Sequence, residues 1–379
     1  MKNLLLVLES RASYGYSKNL INLIKKNKYK IKYKTLVTGT HLSKELGSSI
    51  EDLKKDKIKI DYRINFNKKN IVNGIANITN FTKKILDKNK FDLVIIFGDR
   101  IELLGVAIAS TYSNVAIGHV QAGDRSGHFD DLTRMTLAKL CHLHFPATKL
   151  AAKRLVKLGE QRFRIYKIGA PQLDEINYAH LKKLNEIKYK NIKINLNEKY
   201  IILLQHPVFK DKDIYNHYFE MSLKACLSFK LKIYIIYPNY DPGYEFIIKL
   251  IKKYKLNNKN KIFVLKHLIR KDFLALMAHT QSLVGNSSAG ILESPTLKTP
   301  VVNIGDRQNY REQNKNIFNA SYNMQDIKNK IALSIKYNSQ IKLKKIMNIH
   351  GDGKSSARLL KIINTLSIDN KLLNKDTTY

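Results

Sequence analysis

Four aspartates lie in two short stretches of the chain and have the chemistry for acid–base catalysis. Asp99 follows an apolar run in "IIFGDRIELLG", and Asp124, Asp130 and Asp131 lie in the glycine-punctuated stretch "HVQAGDRSGHFDDLTR". Carboxylates gathered in a cleft raise one another's pKa, which makes an acid and a base available near neutral pH. Alternatively, Asp99 caps the helix after it. One of Asp130 and Asp131 is expected to cap the next helix, leaving the other free to act.

A second stretch, "GNSSAGILESP", has the composition of an anion site. It lies between the apolar runs "HTQSLVG" and "TPVVNIG" and leads into a short helix that ends near Pro295. Exposed N–H groups and the positive end of a helix dipole favour phosphate at such a turn. The alternative is an ordinary loop in which Ser287 and Ser288 cap the helix. His206, in "LLQHP", ends another apolar run and fits a structural role as well as a role in a cleft.

Several common chemistries are excluded by the motifs that the sequence lacks. No Cys/His set has zinc spacing, there is no Walker A sequence, and no G-x-G-x-x-G follows the first apolar run. These absences argue against a metalloprotease, an ATPase and a standard NAD enzyme. Cys141 and Cys226 are far apart, so a reducing cytoplasm is the simplest location. We therefore expect no metal and no cofactor.

The elements that must position these residues follow an alternating pattern. Apolar strand-like runs alternate with helical patterns, which predicts parallel, doubly wound α/β sheets. In such sheets ligands bind outside the carboxyl ends of the strands, where the polar residues named above are found. We expect strands at 4–8, 33–37, 58–62, 93–97, 115–118 and 142–145, and helices at 17–26, 72–86, 101–111 and 131–140.

The pattern restarts after "RIYKIGAPQLDEI", and 379 residues suit two domains. We predict two α/β domains with a cleft between them. The first spans 1–170. The second spans 171–367 and ends in a helix at 355–366 that can pack back on the first domain. A frayed polar tail is expected at 368–379.

The net charge of +36 is extreme and would attract nucleic acid or anionic membranes. However, the lysines are spread over the whole chain and recur with asparagine and isoleucine, as in "IKKNKYKIKYK" and "KLNNKNKIF". This is a compositional bias and not a patch, and no nucleic-acid-binding motif accompanies it. No apolar run approaches the roughly 20 residues of a membrane span. We expect neither nucleic acid nor membrane as a partner.

Six motifs, taken in order, resemble the hydrolysing UDP-N-acetylglucosamine 2-epimerases of the sialic- and legionaminic-acid type. They are "SRASYGYS", "IIFGDRIELLG", "HVQAGDRSGHFDD", "IGAPQLD", "LLQHP" and "GNSSAGILESP" with "TPVVNIGDRQ". Each motif is weak alone, but six in order are specific, and the resemblance covers nearly the whole chain. It implies two Rossmann-like domains in the glycosyltransferase-B arrangement, with the sugar and the acid–base residues on the first domain and the nucleotide on the second. It also implies a nucleotide-sugar substrate and a homodimer.

The resemblance also assigns roles to individual residues. Catalysis would fall to Asp99, Asp130 and Asp131, with Gln121 beside them and His206 assisting the leaving group. Glu293 would bind the ribose, and the diphosphate would be held by Arg11, Ser287 and Ser288. Further substrate contacts would come from Asp124, Gly290 and Arg307.

Two positions depart from the family's pattern. Gln121 stands where the family often has glutamate, and an amide cannot take a proton as a carboxylate does. Either Gln121 positions the substrate while Asp124 or Asp130 does the proton work, or the substrate differs. Ser13 stands where the related motif often has aspartate.

The reaction implied is removal of the C2 proton as UDP departs, followed by addition of water to the resulting glycal. UDP-N-acetylglucosamine would give UDP and free N-acetylmannosamine for nonulosonic acid synthesis. Alternatives are the same reaction on UDP- or GDP-N,N'-diacetylbacillosamine, a non-hydrolysing 2-epimerase, a glycosyltransferase of the same fold, and a basic nucleic-acid-binding protein.

Overall fold

The chain folds into two compact units, each built on a six-stranded sheet. In this computed structural model, unit 1 comprises Met1–Arg125, Phe129–Glu175 and His350–Tyr379, and unit 2 comprises Ser126–His128 and Ile176–Ile349. The structure describes residues 1–26, 31–42, 50–67, 70–127, 130–190, 192–208, 212–238, 243–266, 268–339, 343, 345–376 and 378.

The sheet of unit 1 is entirely parallel. Its strands are β1 (Lys2–Leu8), β2 (Ile31–Val37), β3 (Tyr62–Arg63), β4 (Leu93–Phe97), β5 (Ala116–Val120) and β6 (Leu143–Phe145). They lie in the order β3-β2-β1-β4-β5-β6, so the direction of winding reverses between β1 and β4. The crevice at the carboxyl ends of these two strands is the ligand position that this topology favours.

Helices cover both faces of that sheet. They are α1 (Arg11–Lys26), α2 (Ile50–Lys55), α3 (Ile71–Lys88), α4 (Glu102–Tyr112), α5 (Asp130–Leu140) and α6 (Lys149–Lys157). The alternation of side chains along β1 explains the two layers. Leu4, Leu6 and Leu8 join one hydrophobic core, whereas Leu5 and Val7 join the other on the opposite face.

Unit 2 repeats the same topology. Its main strands are β9 (Tyr200–Leu204), β10 (Lys232–Ile236), β11 (Ile262–Leu265), β12 (Ser282–Gly285), β13 (Val301–Ile304) and β14 (Ile317–Ala320), in the order β11-β10-β9-β12-β13-β14. A separate antiparallel pair, β7 (Glu186–Tyr189) with β8 (Ile192–Asn195), precedes them. The helices are α7 (Tyr178–Lys182), α8 (Lys212–Leu227), α9 (Tyr244–Asn257), α10 (Arg270–His279), α11 (Ser288–Leu292) and α12 (Met324–Asn338). The prediction of two Rossmann-like α/β domains is confirmed.

The last part of the chain returns to unit 1. It forms α13 (Ser355–Thr365) and, after residue 368, where a frayed tail was expected, α14 (Asn370–Leu373). The Arg164 guanidinium binds the tail by donating to the carbonyls of Lys371, Leu372 and Asn374. Leu372 is buried, and Lys375 donates to the carbonyl of Cys141 at 2.8 Å. These contacts order a segment whose polar composition suggested fraying.

No helix in the described ranges is long and apolar enough to cross a membrane.

A buried glutamate at the end of β1 makes the stability of unit 1 depend on pH. Glu9 follows β1 directly, and burial raises the pKa of its carboxyl to about 8, with the neighbouring Glu102 adding to the effect. Because this value lies above the ordinary one, the folded state holds a proton that the unfolded chain releases. The free energy of unfolding should therefore fall as pH rises from about 4.5 through about 8.

Replacing Glu9 with glutamine should remove that dependence. The variant should gain roughly 2–4 kcal/mol over the wild type at about pH 9 relative to the difference at about pH 5. Urea denaturation at the two pH values measures this. Glu186→Gln, at an exposed position of β7, is the control and should leave the pH dependence unchanged. An equal difference at both pH values would show that Glu9 is ionised when folded.

Candidate active site

Two of the predicted carboxylates meet at one guanidinium in unit 1. Asp99 lies in the loop after β4, and Asp131 lies in the first turn of α5. Arg134, one turn further along α5, donates one terminal nitrogen to Asp99 and the other to Asp131. The second nitrogen also donates to the backbone carbonyl of Asp124 at 3.1 Å. The structure thus brings together three parts of the chain that the sequence could only place at strand ends.

The electrostatics of this group follow from burial. The side chain of Arg134 is 2% exposed, whereas those of Asp99 and Asp131 remain 25% and 19% exposed. Burial alone would lower the pKa of the guanidinium, but the carboxylates of Asp99, Asp124 and Asp131 raise it above its ordinary value. Arg134 is therefore a permanent charge behind the carboxylates, which keep a face toward solvent and can meet a substrate.

The other carboxylates of this stretch lie close by in the chain. Asp130 is the first residue of α5 and is partly exposed, and Asp124 is buried in the preceding loop. Among the described residues, no group of three His, Cys, Asp or Glu side chains is arranged to hold a metal ion. Both cysteines are buried and not disulfide-bonded.

Gln121 does not join the Arg134 group through any hydrogen bond that we observe in the described residues. It follows β5 with a left-handed backbone (φ 64°) and donates its amide Nε2 to Oε1 of Gln172 at 2.9 Å. Both side chains are buried, so the amide is held in one orientation. Nearby, His119 bonds the carbonyl of Gly98 at 2.6 Å, and burial lowers its pKa to about 3. His119 is thus a neutral structural residue.

In unit 2, Asn286 joins the ends of β9 and β12. These are the switch strands of that sheet, the two neighbours between which the direction of winding reverses. Its Oδ1 accepts from the backbone N–H of His206 at 2.7 Å, and its Nδ2 donates to the carbonyl of His206 at 2.9 Å. Gly285, at φ 137°, allows the approach, because a Cβ there would lie 1.9 Å from the carbonyl oxygen of Leu204. The carbonyl of Asn286 accepts from Arg307 and from Gln308, each at 3.1 Å.

His206 is buried and neutral. Burial, and then the nearby Arg307, lower the pKa of its imidazole well below the ordinary value. A neutral imidazole in this position can donate a hydrogen bond without placing a second buried cation beside Arg307.

The serine turn has the geometry of a helix cap. Ser287 precedes α11 and accepts from the N–H of Ala289 at 3.4 Å, and Ser288 is the first residue of that helix. Gly290 is buried, and a Cβ there would lie 3.0 Å from Cγ1 of Val301. The capping interpretation is therefore correct for Ser287, and a phosphate-binding role for Ser287 and Ser288 stays a prediction.

Glu293 directly follows α11 and is 5% exposed. Its Oε1 accepts from Nη2 of Arg270, the first residue of α10, at 2.8 Å. Arg11 begins α1 after β1, and its side chain lies outside the described part of the structure.

The sequence did not reveal the contacts that hold the site together. Arg134 had a usable signal, because Asp131 and Arg134 are three residues apart on a predicted helix and therefore share a face. Gln172, Asn286 and Arg270 carried no such signal. Their partners are 51, 80 and 23 residues away in the chain, so only the folded structure reveals the contacts.

Known proteins resemble this chain over most of its length. It is 32% identical over 334 residues to a UDP-N-acetylglucosamine 2-epimerase of Neisseria meningitidis serogroup B, covering 86% of each chain. It is 29% identical over 385 residues to the UDP-N,N'-diacetylbacillosamine 2-epimerase (hydrolyzing) of Legionella pneumophila, covering all of both. The crystal structure of the Methanocaldococcus jannaschii UDP-GlcNAc 2-epimerase in complex with UDP-GlcNAc and UDP is 18% identical. It matches the fold with a TM-score of 0.80, over 95% of this chain and 99% of that one.

A family model described as UDP-N-acetylglucosamine 2-epimerase matches residues 23–364, which is most of the chain. The resemblance that the six motifs indicated is thereby confirmed, and the chain belongs to the UDP-N-acetylglucosamine 2-epimerase family.

Proposed function

We propose that this protein is a hydrolysing 2-epimerase that converts a UDP-linked 2-acetamido sugar into UDP and the free 2-epimer. The observation that carries the proposal is the pair of partly exposed carboxylates, Asp99 and Asp131, bound to one buried arginine. They lie at the carboxyl ends of unit 1's strands in a member of a 2-epimerase family. Acid–base chemistry at a carbon needs such positioned carboxylates.

The first step is an elimination. A carboxylate, which we assign to Asp99, takes the proton from C2. The C–H electron pair forms the C1–C2 double bond, and the C1–O bond breaks to release UDP. The C2 proton is very weakly acidic, so departure of the diphosphate must accompany its removal.

The second step is a hydration. Water adds its oxygen to C1 of the glycal and gives up one proton, while an acid delivers a proton to C2 from the face opposite to the one that lost its proton, which inverts that carbon. The proton given up by the water restores the acid, and Asp99 returns its proton to solvent. Asp131 or Asp130 supplies the proton that C2 receives, because Gln121 has no acidic proton to give. The sum is nucleotide sugar plus water giving free sugar plus UDP.

The leaving group belongs with unit 2 in this proposal. Ser287, Ser288 and the backbone at Gly290 would hold phosphate oxygens, and Glu293 would accept from the ribose hydroxyls. Arg307 and neutral His206 would donate to the departing diphosphate, whose charge they stabilise. Arg11 would add a charge from unit 1. The complex of the M. jannaschii enzyme with UDP-GlcNAc and UDP supports uracil as the base.

Two sugars are candidates for the substrate. The Neisseria relative favours UDP-N-acetylglucosamine, and the product, N-acetylmannosamine, would serve nonulosonic acid synthesis. The Legionella relative, matched along its whole length, favours UDP-N,N'-diacetylbacillosamine. The same relative supports hydrolysis over return of UDP to the glycal. A cytoplasmic homodimer is part of the proposal on family resemblance.

A turnover screen tests the proposal. The enzyme is incubated in D₂O with UDP-N-acetylglucosamine, UDP-N,N'-diacetylbacillosamine and the GDP form of the latter. UDP release is followed together with product NMR. We expect a free 2-epimer that carries deuterium at C2. A 2-epimer still linked to UDP would establish the non-hydrolysing reaction instead. Turnover that requires an added sugar acceptor would establish a glycosyltransferase.

A further inference from the structure

An arginine at the start of α10 is placed against the usual electrostatic preference of helices. Arg270 is the first residue of α10, and the residue before it, Ile269, provides no side-chain cap. The N-terminus of a helix carries a partial positive charge, so a cation there is unfavourable unless an anion compensates it. Asp272 supplies an anion within the first turn of α10, and Glu293 pairs with the arginine directly, since its Oε1 lies 2.8 Å from Nη2 of Arg270.

The ion pair with Arg270 uses only one of the two oxygens of the Glu293 carboxylate. The side chain of Glu293 is 7% exposed, and its second oxygen, Oε2, has no hydrogen-bond partner among the described residues. Leaving a buried carboxylate oxygen unpaired is costly, because the oxygen has lost its water. This pattern indicates a donor that arrives with a ligand.

The position of the carboxylate limits what that ligand can offer. Glu293 follows α11, which follows β12, one of the two switch strands of the unit 2 sheet. An ionised carboxylate accepts hydrogen bonds only, so the ligand group must be a donor, as the hydroxyls of a ribose are.

Resting on the proposed function, we propose that Arg270 is a positioning residue for nucleotide recognition. It holds Glu293 by Oε1 so that Oε2 accepts from the ribose 2'-hydroxyl. The pair thereby selects ribonucleotides over 2'-deoxyribonucleotides. A site built to bond a hydroxyl rejects the analogue that lacks it, since the site's buried polar group is then left unpaired.

Calorimetric binding of UDP and 2'-deoxy-UDP to the full-length protein tests this. The wild type should bind UDP at least about tenfold more tightly than 2'-deoxy-UDP. Arg270→Gln should weaken UDP binding by about tenfold while changing 2'-deoxy-UDP binding by less than about twofold. Glu293→Gln should do the same, and the double variant should lose little more than either single one, because the two residues act through one contact.

The control is Arg358→Gln, which breaks another partly exposed arginine–carboxylate pair, with Asp352 in unit 1. It should leave both affinities unchanged, and thermal unfolding confirms that each variant is folded. If Arg270→Gln weakened the binding of UDP and of 2'-deoxy-UDP equally, the pair would be only a structural link between α10 and α11, and the inference would be overturned. Unchanged selectivity between the two nucleotides in that variant would also overturn it. Failure of the wild type to bind either nucleotide would instead reject the proposed function, and this inference with it.

Discussion

Replacing Asp99 with asparagine should lower kcat by about a thousandfold while the Kd for UDP changes by less than about threefold. The substitution keeps the size of the side chain but removes its ability to accept a proton. Asp99 lies after β4 and is bound by Arg134, which is nearly fully buried, while a quarter of the aspartate side chain remains exposed. The nucleotide is assigned to unit 2, so its binding should not depend on this carboxylate.

The measurement is steady-state turnover with the substrate identified in the screen, together with calorimetric UDP binding. Asp87→Asn is the matched control, because Asp87 also pairs with a cation, Lys83, but on the exposed surface of α3. That variant should retain wild-type turnover. Wild-type turnover in Asp99→Asn would show that Asp99 serves only as an ion-pair partner of Arg134. The role of the base would then be assigned to Asp131 or Asp130.

The order of elements was largely predictable because apolar runs in a doubly wound sheet are buried on both faces. The expected strand at 93–97 coincides with β4, and the helix at 131–140 differs from α5 by one residue. β14 lacks this signal, since "IFNA" is a partly exposed edge strand and has no continuous apolar run. The β7–β8 hairpin lacks it for a similar reason, because lysine and asparagine alternate with its apolar residues.

The site was predictable in its residue types and not in its contacts. The aspartates and serines stand at strand ends, where the topology itself directs attention. Which carboxylate shares a cation depends on tertiary packing, and so does the pairing of Gln121 with Gln172. That pairing shows how the structure accommodates an amide at position 121, where the family often has glutamate. The amide of Gln121 is buried and already bound to a second amide, and under the proposed function the proton chemistry is assigned to the carboxylates around Arg134.

Replacing Arg134 with methionine should lower both stability and activity, and for separable reasons. The methionine fills much of the space but removes the cation that Asp99 and Asp131 share. Removing one partner of a buried ion pair costs about 3–5 kcal/mol. Because these carboxylates are partly exposed, we expect the free energy of unfolding to fall by about 2–4 kcal/mol at neutral pH. The loss should shrink in acid, where protonation of the carboxylates removes their repulsion.

Two further variants separate the charge from the geometry. Arg134→Lys keeps the cation but cannot reach both carboxylates with a planar fork, so stability should recover more than turnover does. The triple variant Asp99→Asn, Asp131→Asn and Arg134→Met removes all three charges together and should regain most of the stability without regaining turnover. Urea denaturation and steady-state kinetics provide the two readouts. If Arg134→Met were as stable and active as the wild type, the carboxylates would not need their shared cation. The proposal that Asp99 and Asp131 act as an acid–base pair held by Arg134 would then have to be abandoned.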